Sequence, residues 1–153
     1  GDERYAAEFL RAHARLAAAG FEHYEVSNYA RPGFRARHNS AYWSRAPFVG
    51  LGPSAHSGIG DWRRWNVPAW AAYERTVAAG RSPLEGEERL GDAQLRLESL
   101  YLGLRTVDGL PEAQLGPAAE AWLREGWAER RSGRIRLLAE GWLRLDALVR
   151  AAA

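Results

Sequence analysis

Residues 27 to 43 read SNYARPGFRARHNSAYW and gather an imidazole, an amide, a phenol and an indole at His38, Asn39, Tyr42 and Trp43, close to the guanidinium groups of Arg35 and Arg37. Imidazole is a competent axial ligand for heme iron. Aromatic rings pack against a porphyrin plane, and guanidinium groups bind carboxylates through paired hydrogen bonds. The same residues have a plainer use, in which His38 and Asn39 satisfy loop backbone groups while Tyr42 and Trp43 fill core. The charge around them is one-sided: from Arg31 to Arg64 there are six arginines (31, 35, 37, 45, 63, 64) against one acid, Asp61, so the stretch can receive an anion.

A second candidate follows at once. PFVGLGPSAHSGIG carries Gly50, Gly52, Gly58, Gly60 and Pro53, a composition suited to a tight loop against which a cofactor can lie close to the backbone. Gly52, Ser54 and His56 are the residues there that would touch it, although His56 serves equally well as a packed loop histidine. Glu22 and Glu25 flank His23 and Tyr24, and the sequence assigns them no role.

The elements that must position these residues are read from periodicity. Asp2 to Ala19 is rich in Ala, Leu and Arg and stops at Gly20, which predicts an amphipathic helix with a glycine cap. FEHYEVSNYA then suits a strand ended by the ARPG turn, and PFVG suits a further short strand. Asn66 is expected to cap a helix with Pro68 in its first turn, running to Gly80. Glu87 to Arg105 is expected to be one long helix, with Asp92 able to cap an inner start. A turn at Gly109 to Pro111, a helix over 118–125, a hairpin centred on RSGR at 131–134 and a helix over 140–149 complete the chain. Helices with a terminal hairpin suggest a winged-helix-like module.

Composition limits the chemistry. The chain has 153 residues, 46% of them hydrophobic, enough for a packed core, and its net charge is +2. It contains no cysteine, which excludes disulfides, thiolate nucleophiles and cysteine-ligated metal within these residues, so no resident metal and no catalytic group is expected here. All 21 basic residues are arginine, a bias that carries no functional weight. No apolar run approaches the roughly 20 residues of a membrane span, and no signal-peptide pattern opens the chain, so a cytoplasmic location is expected.

YEVSNYARPGFRARHNSAYW resembles the YEISNFA, RPG and HNxxYW signatures of radical-SAM heme chaperones related to the oxygen-independent coproporphyrinogen III oxidases. GLGPSAHS and then RRWN follow in the same order, and the resemblance runs from about Tyr5 to Leu110. It implies an α/β chain, the C-terminal end of a partial (β/α) barrel followed by a mainly helical, winged-helix-like domain. The expected boundaries are 1–65 for the barrel end, 66–106 for a helical connection and 107–153 for the last domain, with the glycine-rich loop in the barrel's final strand region.

The resemblance further implies that His38, Asn39, Tyr42 and Trp43 handle heme. It makes Gly52, Ser54 and His56 a wall of an S-adenosylmethionine site. Family members hold a 4Fe-4S cluster on three cysteines, so here that half is expected upstream, and this chain alone is not expected to be catalytic. The expected function is binding heme or porphyrin and delivering it to heme-accepting proteins such as respiratory enzymes. Coproporphyrinogen oxidation is the alternative within the family. A winged-helix nucleic-acid module is the alternative outside it; Arg130, Arg131, Arg134 and Arg136 on the hairpin favour that reading. Glu112, Glu120 and Glu125 on the preceding helix oppose it, since they would repel a phosphate backbone.

Overall fold

The structure is a computed structural model and describes residues 1–153. In chain order the elements are α1 (Asp2–Ala18), β1 (Glu22–Glu25), β2 (Asn28–Ala30), α2 (Arg37–Trp43), β3 (His56–Ile59), β4 (Trp62–Asn66), α3 (Trp70–Ala78), β5 (Leu84–Arg89), α4 (Asp92–Leu104), β6 (Leu110–Pro111), α5 (Ala118–Arg124), β7 (Ala128–Arg131), β8 (Arg134–Leu137), α6 (Ala139–Trp142) and α7 (Leu145–Ala152). They form two compact units, one from residues 1–44 with 96–153, the other from residues 45–95. The boundaries expected at 65 and 106 do not coincide with these units, in which residues 48–66 hydrogen-bond with β5 and with one another.

In the first unit, α1 ends as its glycine predicts. Gly20 takes φ +81°, and the amides of Gly20 and Phe21 return to Ala17 O and Leu16 O, closing the last turn. The segment expected as one strand is a hairpin: β1 pairs antiparallel with β2, Glu22 opposite Ala30 and His23 opposite Tyr29. The outer edge of β1 is closed by residues 105–107, through Val26 N to Arg105 O, Val107 N to Tyr24 O and a bridge between Glu25 and Thr106. That pairing gives β1 a neighbour on each side.

The core lies in the C-terminal part. Leu100 and Leu104 of α4, Trp122 of α5, Ile135 and Leu137 of β8, Trp142 of α6, and Leu148 and Val149 of α7 are buried together, with Phe9 of α1 packed against them. The sheet order β6-β8-β7, with α4 and α5 before the hairpin, is the winged-helix-like arrangement. Gly109 and Pro111 frame a strand as well as a turn, since Leu110 pairs with Ile135. The expected helix over 140–149 is two helices; Leu143 and Arg144 separate α6 from α7. Trp142 Nε1 donates to Leu104 O at 3.0 Å, capping an orphan carbonyl of α4.

In the second unit, β4 is central in the antiparallel order β3-β4-β5. Three expectations are corrected here. PFVG supplies only a bridge from Phe48 to Gly58. Asn66 ends β4 and does not cap α3, which starts at Trp70. Residues 87–89 belong to β5, where Glu87 and Glu88 sit opposite Arg64 and Arg63; the cross-strand charge pairing outweighs their helical propensity. Gly58 and Gly86 let the rings of Phe48 and Trp65 lie on the sheet, for a Cβ would meet them at 2.7 and 2.4 Å. No helix is long and apolar enough to cross a membrane.

Candidate functional site

α2 carries the HNSAYW residues on adjoining faces. His38 and Tyr42, four apart, meet edge-on with ring centroids 4.9 Å apart and planes at 89°, and both are exposed. Asn39 and Trp43 are half-buried on the next face. Trp43 is fixed by Arg105, whose guanidinium lies 4.5 Å from the indole centroid. The Trp43 Nε1 donor is buried without a hydrogen-bond partner.

Arg105 is held in turn by YEVSN. Glu25 is fully buried, and its carboxylate accepts from Ser27 N at 3.0 Å, Asn28 Nδ2 at 2.5 Å and Arg105 Nε at 3.1 Å. Arg105 Nη2 also reaches Ser27 Oγ at 3.2 Å. The sequence gives no role to Glu25 and does not single out Arg105, yet together they brace the tryptophan of the aromatic motif. Little in the sequence marks the pair, since β1 reads EHYE and the cation that Glu25 needs lies 80 residues on.

The arginines divide sharply. Arg35 is not free to meet a ligand carboxylate, because it forks onto both oxygens of Glu22 and also reaches Asp108 at 3.2 Å. Glu22 is accordingly held below its usual carboxylate range, mainly by the Arg35 hydrogen bonds. Arg31 lies over Phe21, and Arg64 pairs with Glu87 at 2.9 Å. On the hairpin, Arg130 binds Glu112 and Glu120, Arg136 binds Glu129, and Arg134 donates to the carbonyls of Asp108 and Gly109 at 2.8 and 2.7 Å. With those groups engaged, Arg131 is the one of the four hairpin arginines whose donors stay uncommitted for a nucleic-acid backbone.

The glycine-rich loop is built on its own hydrogen bonds. Asn66 Nδ2 donates to Gly52 O at 2.9 Å, Gly52 N donates to Tyr73 Oη at 3.1 Å, and Gly50 N donates to Ser57 Oγ at 3.0 Å. Gly50 has no room for a side chain, since a Cβ would lie 2.2 Å from His56 O. Gly52, at φ +106°, instead faces open space. Ser54, at φ +58°, and His56 are exposed, and His56 lies 6.1 Å from the Trp65 ring. The loop therefore presents the Ser54 and His56 side chains and the bare surface at Gly52 to solvent.

A further cluster surrounds His23, which is buried, stacked on Tyr29 at 3.9 Å and edge-on to Trp142 at 4.4 Å. Its Nε2 lies 3.1 Å from Val26 O and its Nδ1 lies 3.0 Å from His13 Nδ1. The tautomer satisfying both contacts donates from Nε2 and accepts at Nδ1 from His13. Burial pushes the His23 pKa down, against the pull of the Val26 carbonyl.

No protein-family profile matches the chain. The heme chaperone HemW of Mycobacterium tuberculosis is 44% identical over 141 residues, covering 90% of this chain and 36% of the relative. HemW of Synechocystis is 42% identical over 118 residues, covering 74% of this chain and 28% of the relative. The mouse mitochondrial radical S-adenosyl methionine domain-containing protein 1 is 32% identical over 145 residues, covering 86% and 31%. The chain spans about a third of the length of these curated relatives. Among solved structures, coproporphyrinogen III oxidase (HemN) from Escherichia coli, a radical SAM enzyme, aligns with a TM-score of 0.66 over 93% of this chain and 39% of that one; at 16% identity it speaks for the fold. The chain belongs to the family of radical-SAM heme chaperones and oxygen-independent coproporphyrinogen III oxidase-like proteins and corresponds to the C-terminal part of its members.

Proposed function

We propose that this chain is the heme-handling part of a radical-SAM heme chaperone, with His38 as the iron ligand and Tyr42 and Trp43 as aromatic support. The observation that carries the reading is the exposed His38 imidazole, held edge-on to Tyr42 on a helix whose Trp43 is clamped by Arg105 and Glu25. A ligand imidazole must be accessible and rotationally restrained, and this arrangement meets both requirements. Asn39, half-buried one position on, belongs to the same proposed heme-binding group. Bound heme supplies the Lewis-acidic iron; the chain's residues bind, orient and shield it.

The cluster half of the parent is a separate matter. Without cysteine these residues do not fit a thiolate-ligated iron–sulfur site. In the proposal the 4Fe-4S cluster and most of the S-adenosylmethionine site belong to the part of the parent outside this chain. Gly52, Ser54 and His56 contribute one wall, consistent with the open space at Gly52. Delivery would be to heme-accepting proteins, respiratory enzymes among them, in the cytoplasm.

The test is a hemin titration followed at the Soret band, on the chain and on His38→Ala. The expected result is a shifted Soret band in the unsubstituted chain and affinity lower by at least about tenfold in the variant, as loss of an axial ligand requires. Equal binding by the two would remove His38 from the site. Decarboxylation of coproporphyrinogen by the full-length parent would replace the chaperone reading with the oxidase one.

A further inference from the structure

Two cavities flank the Glu22–Arg35–Asp108 bridge and share it as a common wall. One, of about 880 Å³, opens along the Arg37, Ser40 and Ser44 face of α2 over a floor of Pro32, Gly33 and Ala41. The other, of about 400 Å³, lies against the β7–β8 hairpin at Arg131 and Ser132. Five arginines line the pair (35, 37, 131, 134 and 136) against two carboxylates, Glu22 and Asp108. Arg35 is consumed by those two carboxylates, Arg136 by Glu129 and Arg134 by main-chain carbonyls. Arg37 and Arg131 make no ion pair or side-chain hydrogen bond. Arg37 and Arg131 are therefore the one guanidinium in each cavity whose donors are uncommitted, with an apolar floor beside the first.

We propose that this double groove receives the carboxylate edge of the tetrapyrrole, with Arg37 and Arg131 as the two guanidinium groups that bind its propionates; the inference rests on the heme reading above. A planar dicarboxylic macrocycle needs an apolar bed along one edge and two separated bidentate cations, and guanidinium matches carboxylate geometry where ammonium does not. Ala41, on the groove floor, lies one helical turn from His38, so the carboxylate side and the iron-ligand side are neighbouring faces of α2. The Arg35 bridge has a positioning role. By donating to both Glu22 and Asp108 it offsets one of their two negative charges and so weakens their repulsion of the incoming carboxylates, and it joins the RPGFR segment to the residues that follow α4.

The experiment compares hemin with hemin dimethyl ester, whose propionates are uncharged, on the unsubstituted chain, on the Arg37→Ala/Arg131→Ala double variant and on His38→Ala. Both arginines are exposed and unpaired, so the double variant should keep its near-ultraviolet circular dichroism and melting temperature. Expected is at least about a tenfold loss of hemin affinity in the double variant, with diester affinity within about twofold of the unsubstituted chain. His38→Ala should weaken both ligands alike. Unchanged hemin binding in the double variant overturns the groove assignment, as does an equal loss for hemin and diester. Failure of the unsubstituted chain to bind either porphyrin overturns the heme reading itself.

Discussion

Replacing Arg105 by Met removes the cation from a carboxylate that has no access to water. Glu25 is fully buried and Arg105 is itself only 19% exposed, so surface screening is slight. Breaking such a pair on one side costs about 3 to 5 kcal/mol. Ser27 N and Asn28 Nδ2 still serve Glu25, which places the expected loss near the lower limit, about 3 kcal/mol. For a chain of this size that corresponds to a melting temperature lower by about 6 to 12 °C. Glu25→Gln combined with Arg105→Met should recover much of the loss, because the orphaned charge has gone, giving a coupling energy of about 2 kcal/mol. Urea and thermal unfolding of the two single variants and the double, followed by circular dichroism, measures the cycle. A loss below about 1 kcal/mol in Arg105→Met, or additivity within about 0.5 kcal/mol, would refute the clamp.

Two further outcomes are expected. His23, with its folded pKa below the ordinary 6.5, stays neutral while the unfolded chain takes up a proton; stability should be flat above pH 7 and fall as pH drops below about 6.5, by at most about 1.4 kcal/mol per unit. His23→Phe should flatten urea-derived stability between pH 7 and 5.5, and an unaltered slope there would discard His23 as its source; Glu22, depressed by Arg35, acts only at lower pH as it is protonated. Gly109→Ala should cost at least about 2 kcal/mol, since Gly109 sits at φ +60° and a Cβ would lie 2.1 Å from Ile135 O. Calorimetric melting at the unsubstituted temperature would count against that geometry.

The features legible in the sequence were those with local causes. Gly20 stops α1, RSGR turns the hairpin, and HNSAYW puts His38 and Tyr42 one helical turn apart whatever surrounds them. What escaped depends on partners far along the chain. Residues 87–89 look helical until Arg63 and Arg64 stand opposite them in β4, and Asn66 looks like a cap until it reaches back to Gly50 and Gly52. Arg35 resembled a ligand-binding group for the same reason. Asp108, one of its acceptors, lies 73 residues away, and nothing near Arg35 in sequence reveals it.

The closure of the β1 edge by residues 105–107 has a temporal side. Glu25 and Arg105 are 80 positions apart, so at ordinary translation rates the strand leaves the ribosome roughly 4 to 16 s before its second neighbour exists. During that interval the backbone of β1 has β2 on one side and unsatisfied amides on the other, while Glu25 waits for its cation. A free strand edge recruits other chains, but an unpaired carboxylate on that strand opposes its burial in an apolar aggregate. The residue that later braces the indole of α2 thus acts first as a gatekeeper for the nascent chain.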